Sequence, residues 1–202
     1  MKHMKKTNSV NLENPSEMLI RKYLDRWVTL ENYILQERSL NMLFEELCPH
    51  NQSIEHVLLK VSALNDFYST NIYDTYSVAK HILNSKVDEG LQAVDYGLVN
   101  KIAKVTIKNK TINFYSFATK YCSHHKPLCY PIYDSFVEKM LLAYKRLHEF
   151  AKFKKEDLKD YKSFIRIIKD FKKFYQLDKF TLRQIDIFLW LAGKEFFPKK
   201  YK

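Results

Sequence analysis

The sequence predicts an all-α domain, and three observations carry that expectation. Glycine and proline number only 3 and 5 in 202 residues, so Gly-rich nucleotide-binding turns, hairpin-rich barrels and flexible linkers have little to be built from. Apolar residues recur at the three- and four-residue spacing of helices through most of the chain. The composition is 46% hydrophobic and 15% aromatic, with 14 Phe and 14 Tyr, enough for a substantial core without disulfides or a structural metal.

Each element is placed by its own signals. Residues 1–14 are polar and basic and are expected to form a flexible tail, leaving 15–202 as one helical unit. Pro15 suits the first turn of a helix, and Ser16 to Cys48 reads as one long or two consecutive helices with Leu19, Ile20, Tyr23, Trp27, Leu30 and Ile34 on one face. Pro49 ends that run. Ser53 is the expected cap of the next helix, whose inner face holds Val57, Val61 and Leu64. The segment 64–82 is dense in hydroxyl and amide groups. Two readings stay open there: Ser69, Thr70 and Asn71 as turn residues with Thr75 or Ser77 capping a helix, or Asn65, Tyr68 and Asn71 lining a polar cleft. Two short helical patterns occupy 87–107, and TIKNKT at 106–111 reads as a basic turn. Helices are expected at 135–150, 161–175 and 181–192, with a charged break at 151–160 and Gly193 as the last helix stop.

Charge directs attention to polyanions. The formal net charge is +11, and residues 145–202 hold 17 basic against 8 acidic side chains, a net +9. DNA or another phosphate-rich ligand is the expected partner; a lysine-rich surface that serves only solubility is the plainer alternative. Cys48, Cys122 and Cys129 are odd in number and lack zinc-finger spacing, which fits reduced thiols in a cytoplasmic protein. No apolar run approaches the roughly 18 residues of a membrane span. A membrane, an obligatory protein partner and a cofactor are not expected.

Chemistry concentrates at Thr111 to Leu142, TINFYSFATKYCSHHKPLCYPIYDSFVEKMLL. Helical spacing of Phe114, Phe117, Ala118 and Tyr121 places Lys120 near the end of a short helix, and Asp134 opens the next apolar run after Pro131. A half-buried lysine has its charged form penalised and becomes a candidate nucleophile; a lysine snorkelling to water is the plainer reading. Asp134 is a natural helix cap that can also present a carboxylate to a gap between helices. Cys122, His124, His125 and Cys129 match no familiar zinc spacing, so no metal is expected.

The run FYSFATKYCSHHKPLCYPIYDSFVEKML resembles the core of the helix-hairpin-helix DNA glycosylase superfamily, in particular divergent bacterial 8-oxoguanine-glycosylase-like proteins. The resemblance spans about 53–142 and is sharpest at PIYD; the basic helices of 151–202 lie beyond it. It implies two closely packed helical lobes with a cleft between them, Lys120 as the catalytic lysine and Asp134 as the catalytic aspartate. It also implies duplex DNA carrying a modified or damaged base as partner, nucleotide flipping with aromatic insertion, and cleavage of the N-glycosidic bond, with strand cleavage where a Schiff base forms. Defence against modified phage DNA is a role of some similar proteins. Candidates for the base pocket are Asn65, Tyr68, Asn71, Tyr121, His124, His125 and Tyr130; candidates for the DNA backbone are Lys108, Lys110 and Lys126. Where the family carries a glycine-rich hairpin this chain has IKNKTINFYS, so its hairpin is expected to be built differently. The competing readings are a non-enzymatic helical nucleic-acid-binding module and a toxin or immunity scaffold.

Overall fold

The computed structural model describes residues 12–198, and among these the chain is mostly helical, with one two-stranded sheet. Helices α1 (Glu17–Trp27) and α2 (Glu31–Asn41) are consecutive, and α2 continues into a π-helical turn, Met42–Leu47. Ser16 caps α1 by accepting from Leu19 N at 3.2 Å, so Pro15 precedes the cap and is not in the first turn. The expected tail of 1–14 does not extend to 14. Leu12 is buried and Glu13 O accepts from Tyr144 Oη at 3.2 Å, while residues 1–11 of that tail lie outside the described residues.

Helices α3 (Ile54–Tyr68) and α4 (Thr75–Asn84) form a pair. Ser53 stands at the cap position of α3, but its hydroxyl donates to Glu55 and no side chain caps the helix. Neither Thr75 nor Ser77 caps α4; Asp74 does, through Ser77 N at 2.9 Å, because a carboxylate directly before the helix is the better acceptor. Helices α5 (Val87–Gln92) and α6 (Gly97–Ala103) follow. The expected basic turn is instead the tip of an antiparallel hairpin, β1 (Lys104–Ile107) with β2 (Lys110–Asn113). Its β-branched residues suit strands, and Lys108 and Asn109 both take positive φ, as a two-residue hairpin turn requires.

Helices α7 (Tyr115–His125), α8 (Ser135–His148), α9 (Tyr161–Phe174) and α10 (Leu182–Phe196) complete the fold, with a 3₁₀ turn at Lys155–Lys159 inside the expected charged break. Gly193 does not stop the last helix. It lies within α10, where a Cβ would fall 2.7 Å from Phe136 Cβ and 2.9 Å from Phe136 O, so the missing side chain lets α10 close on the start of α8. The C-terminal helices return to the N-terminal one, with Phe188 edge-on to Tyr23 at 5.4 Å. One cluster of buried apolar side chains runs from Leu12 to Ala192. No helix among the described residues is long and apolar enough to cross a membrane.

Candidate functional site

A cavity of about 770 Å³ opens where α1, α2 and α10 meet the end of α3 and the starts of α7 and α8. It is lined by Lys120 and Asp134 together. Their approach is set by backbone stitching between α7 and the PIYD segment: Ser116 Oγ donates to Tyr133 O at 3.0 Å, and Tyr133 N donates to Thr119 Oγ1 at 3.1 Å. These bonds hold the residue before Asp134 against the helix that carries Lys120.

Lys120 is 4% exposed. Its ammonium donates to Ser116 Oγ at 2.6 Å and Ser116 O at 3.2 Å, one turn earlier, and lies 5.2 Å from the centre of the Tyr68 ring. Burial lowers its pKa to about 8, against the opposing pull of the Asp134 carboxylate. About a tenth of the amine is therefore neutral at pH 7, far more than for an ordinary lysine. Asp134 caps α8, its Oδ1 accepting from Phe136 N at 2.8 Å and Val137 N at 2.9 Å. The capping role and the place in the cavity are both real.

Helix α10 contributes groups that the sequence analysis did not single out. Arg183, Asp186, Trp190 and Lys194 all line the cavity at helical spacing. Asp186 is 2% exposed; Oδ2 accepts from Ile132 N at 2.8 Å, and Oδ1 is buried without a hydrogen-bond partner. Burial raises its pKa to about 8, so near neutral pH it is largely a carboxylic acid able to donate. Arg183 pairs with Glu37, with Nε at 2.9 Å and Nη2 at 2.5 Å from the same oxygen, and lies 5.7 Å from the Trp27 ring. Trp27, Tyr33 and Trp190 form an aromatic wall, Trp190 standing edge-on to Tyr33 at 5.0 Å and to Trp27 at 6.0 Å. The Lys194 ammonium sits 4.5 Å from the Trp190 ring. The available signal was an arginine, an aspartate and a lysine breaking the otherwise apolar run LRQIDIFLWLAGK.

Of the sequence candidates for the base pocket, only Tyr68 lines the cavity. His124 stands behind it, its Nε2 3.0 Å from Tyr68 Oη, and burial first, then Arg183 and Lys120, push its pKa down to about 3. It is a neutral support for Tyr68. His125 and Tyr121 belong to a separate buried network: Asn51 Oδ1 accepts from Lys60 Nζ at 2.6 Å and from Tyr121 Oη, and Asn51 Nδ2 lies 3.2 Å from His125 Nε2. Tyr130 stacks on Tyr161 at 6.0 Å and donates to Asp95 O at 3.2 Å. Asn65 closes the loop after α3, donating to Ile72 O and accepting from Thr70 Oγ1 and Ile72 N, so each reading of that segment holds in part: Asn65 bonds locally, and Tyr68 lines the cavity. Asn71 is exposed on the same loop with positive φ. Lys108 and Lys110 are exposed at the hairpin tip, near enough to Asp74 that Lys108 helps lower its pKa; Lys126 ends α7. Among the described residues no three of His, Cys, Asp and Glu gather as a metal would need.

No solved structure matches this chain. A protein of Haemophilus influenzae, described as an uncharacterized protein, is 48% identical over 147 residues, covering 72% of this chain and 70% of its own length. The family described as HI_0787_N, N-terminal domain, matches residues 19–129, a span that includes Trp27, Tyr68 and Lys120 and stops before Asp134 and α10. On both matches, the chain belongs to the HI_0787_N family.

Proposed function

We propose that this protein is a DNA glycosylase that flips a modified or damaged nucleotide into the cavity and cleaves its N-glycosidic bond. The observation that carries the reading is the convergence of Lys120 and Asp134 in one aromatic-walled cavity of about 770 Å³, within the range of small-molecule sites. In the proposed reaction the neutral Lys120 amine attacks C1′ of the deoxyribose. The C1′–N bond breaks, and the base departs with the bonding electrons and takes up a proton. Asp134 stabilises the positive charge that develops on the sugar. Loss of the amine proton and opening of the sugar ring give a Schiff base, from which the 3′ phosphate can be eliminated. Where water replaces the amine, Asp134 orients it and the product is an abasic site.

Other features support the same reading. Trp27, Tyr33 and Trp190 offer faces for stacking. Tyr73, 97% exposed, stands on the loop whose Ser69 and Thr70 line the cavity, and the bonds of Asn65 to Thr70 and Ile72 hold that loop. An exposed ring on a fixed loop is suited to fill the gap left by a flipped base. Lys108 and Lys110 at the hairpin tip are suited to backbone phosphate.

Duplex oligonucleotides carrying oxidised guanine and a panel of other modified bases test this, with released base measured by mass and abasic sites by alkali cleavage. Asp134→Asn is expected to lower release by roughly 10²–10³-fold while duplex binding persists. Borohydride should trap a covalent adduct with wild type and none with Lys120→Gln; release without any adduct would overturn the amine mechanism and leave the water route. The cap bonds of Asp134 favour one competitor, a binding module in which Asp134 only shapes α8. Binding with no release across the panel would establish that competitor.

A further inference from the structure

We propose that the outer face of α9 is a second phosphate-binding surface, which holds duplex DNA away from the cavity. Lys162, Arg166, Lys169 and Lys173 are all exposed and follow one another at intervals of four, three and four residues, so they form a single stripe. At helical rise the stripe is about 16 Å long, a length over which one DNA strand presents about five phosphates. The opposite face of the same helix is buried, from Tyr161 and Phe164 to Ile168 and Phe171.

Solvated helix faces commonly alternate acids and bases four residues apart, which satisfies each charge within the helix. Here that device is used once. Arg166 lies 3.6 Å from Asp170, whereas Lys162, Lys169 and Lys173 have no ion-pair partner among the described residues. Asp160, the acid before the stripe, caps α9 through Ser163 N at 2.9 Å, and that bond first, with the Lys162 charge further down, lowers its pKa; the Lys169 ammonium lies 6.0 Å from the Tyr96 ring. Four cations in line on a rigid helix, three of them outside any ion pair among the described residues, complement a polyanion with regularly spaced charge.

The position separates this surface from the cavity. Phe164 packs edge-on against Tyr133 at 5.7 Å, and Tyr133 lines the cavity, so the stripe lies about one helix diameter, about 10 Å, behind that wall. Phosphates flanking a flipped nucleotide would meet Lys108 and Lys110; the stripe would engage duplex further along or a second segment. This inference rests on DNA being the ligand of the proposed reaction, and its test is separable from that reaction.

The experiment measures binding of the full chain to an unmodified 30-base-pair fluorescent duplex between 50 and 200 mM salt. The triple variant Lys162→Gln, Lys169→Gln, Lys173→Gln is compared with a charge-matched control, Arg38→Gln, Lys80→Gln, Lys86→Gln, whose residues are also exposed. The stripe variant is expected to lose about 3 from the slope of log affinity against log salt, close to 0.9 per phosphate contact, and the control less than about 0.5. Equal loss in both variants, or none in the stripe variant, overturns the proposal. So does a stripe that governs binding to vesicles of anionic lipid and leaves duplex binding unchanged. Base release measured alongside separates the two ideas: release with an unchanged slope removes only the second surface, and a stripe-dependent slope without release removes only the glycosylase.

Discussion

Lys120 and Asp186 show how burial acts in opposite directions on two side chains of one cavity. For Asp186 the folded pKa of about 8 exceeds the ordinary carboxylate value, so the folded chain holds a proton that the unfolded chain releases. Its contribution to stability is intact at about pH 4 and is lost as pH rises toward 8. The melting temperature of wild type is therefore expected to fall relative to Asp186→Asn between pH 5 and 8; parallel curves would show that Asp186 is ionised throughout. Lys120 acts in a different window. Its folded pKa of about 8 lies below the ordinary 10.5, so the unfolded chain binds the proton more tightly and stability gains between about pH 8 and 10.5. The same depression shapes reactivity. Borohydride-trapped adduct is expected to form about tenfold faster per pH unit below 8 and to level off above it. A flat profile would separate the adduct from this amine. Lys120 and Asp134 were legible in the sequence because each interrupts an apolar pattern beside a proline-bearing segment. Asp186 interrupts one just as plainly, but a lone acid in a helix does not show from spacing alone which neighbouring element buries it.

At the scale of elements, α10 and the start of α8 depend on the bare backbone of Gly193. A methyl group there meets both Cβ and the carbonyl oxygen of Phe136, and backbone cannot rotate away as a side chain can. Gly193→Ala is expected to cost about 2 kcal/mol in denaturant unfolding and to lower base release beyond that loss, because Asp134 sits two residues before Phe136. An unchanged midpoint would mean that the two helices slide freely. The hairpin invites the opposite change. Asn109 takes φ of 64° at the second position of its two-residue turn, so Asn109→Gly should be neutral or slightly stabilising in the same assay. The β-strands of this hairpin do not show in the sequence, because four-residue strands carry too few alternations to stand out from a polar turn. The sequence reading also misread Gly193 as a stop, since the signal for a helix end and for a close helix contact is the same residue.

Across the whole molecule, two buried lysines lie along α7: Lys120 within it at the cavity, and Lys60 of α3 at its far end, 3.4 Å from His125 Nε2. Lys60 donates to Cys48 O at 3.0 Å, His50 O at 3.1 Å and Asn51 Oδ1, and Asn51 in turn donates to Asp88 through its backbone N at 2.9 Å and Nδ2 at 2.6 Å. Lys60→Met strands these acceptors and is expected to cost about 3 kcal/mol while leaving base release per folded molecule unchanged; lost release at full stability would tie the network to the cavity. Helical class, the long amphipathic segments and the basic C-terminal third follow from the sequence itself, because periodicity and charge are local properties that survive without coordinates. Tertiary structure alone decided which polar groups face the cavity. It turned His124, Tyr121 and Tyr130 into core, left His125 half-buried away from the cavity, and brought Trp27 and Tyr33 from one end of the chain to the same cavity as Arg183, Asp186 and Trp190 from the other. The physical reason is that a cavity is made by elements distant in sequence, and no local pattern records which of them meet.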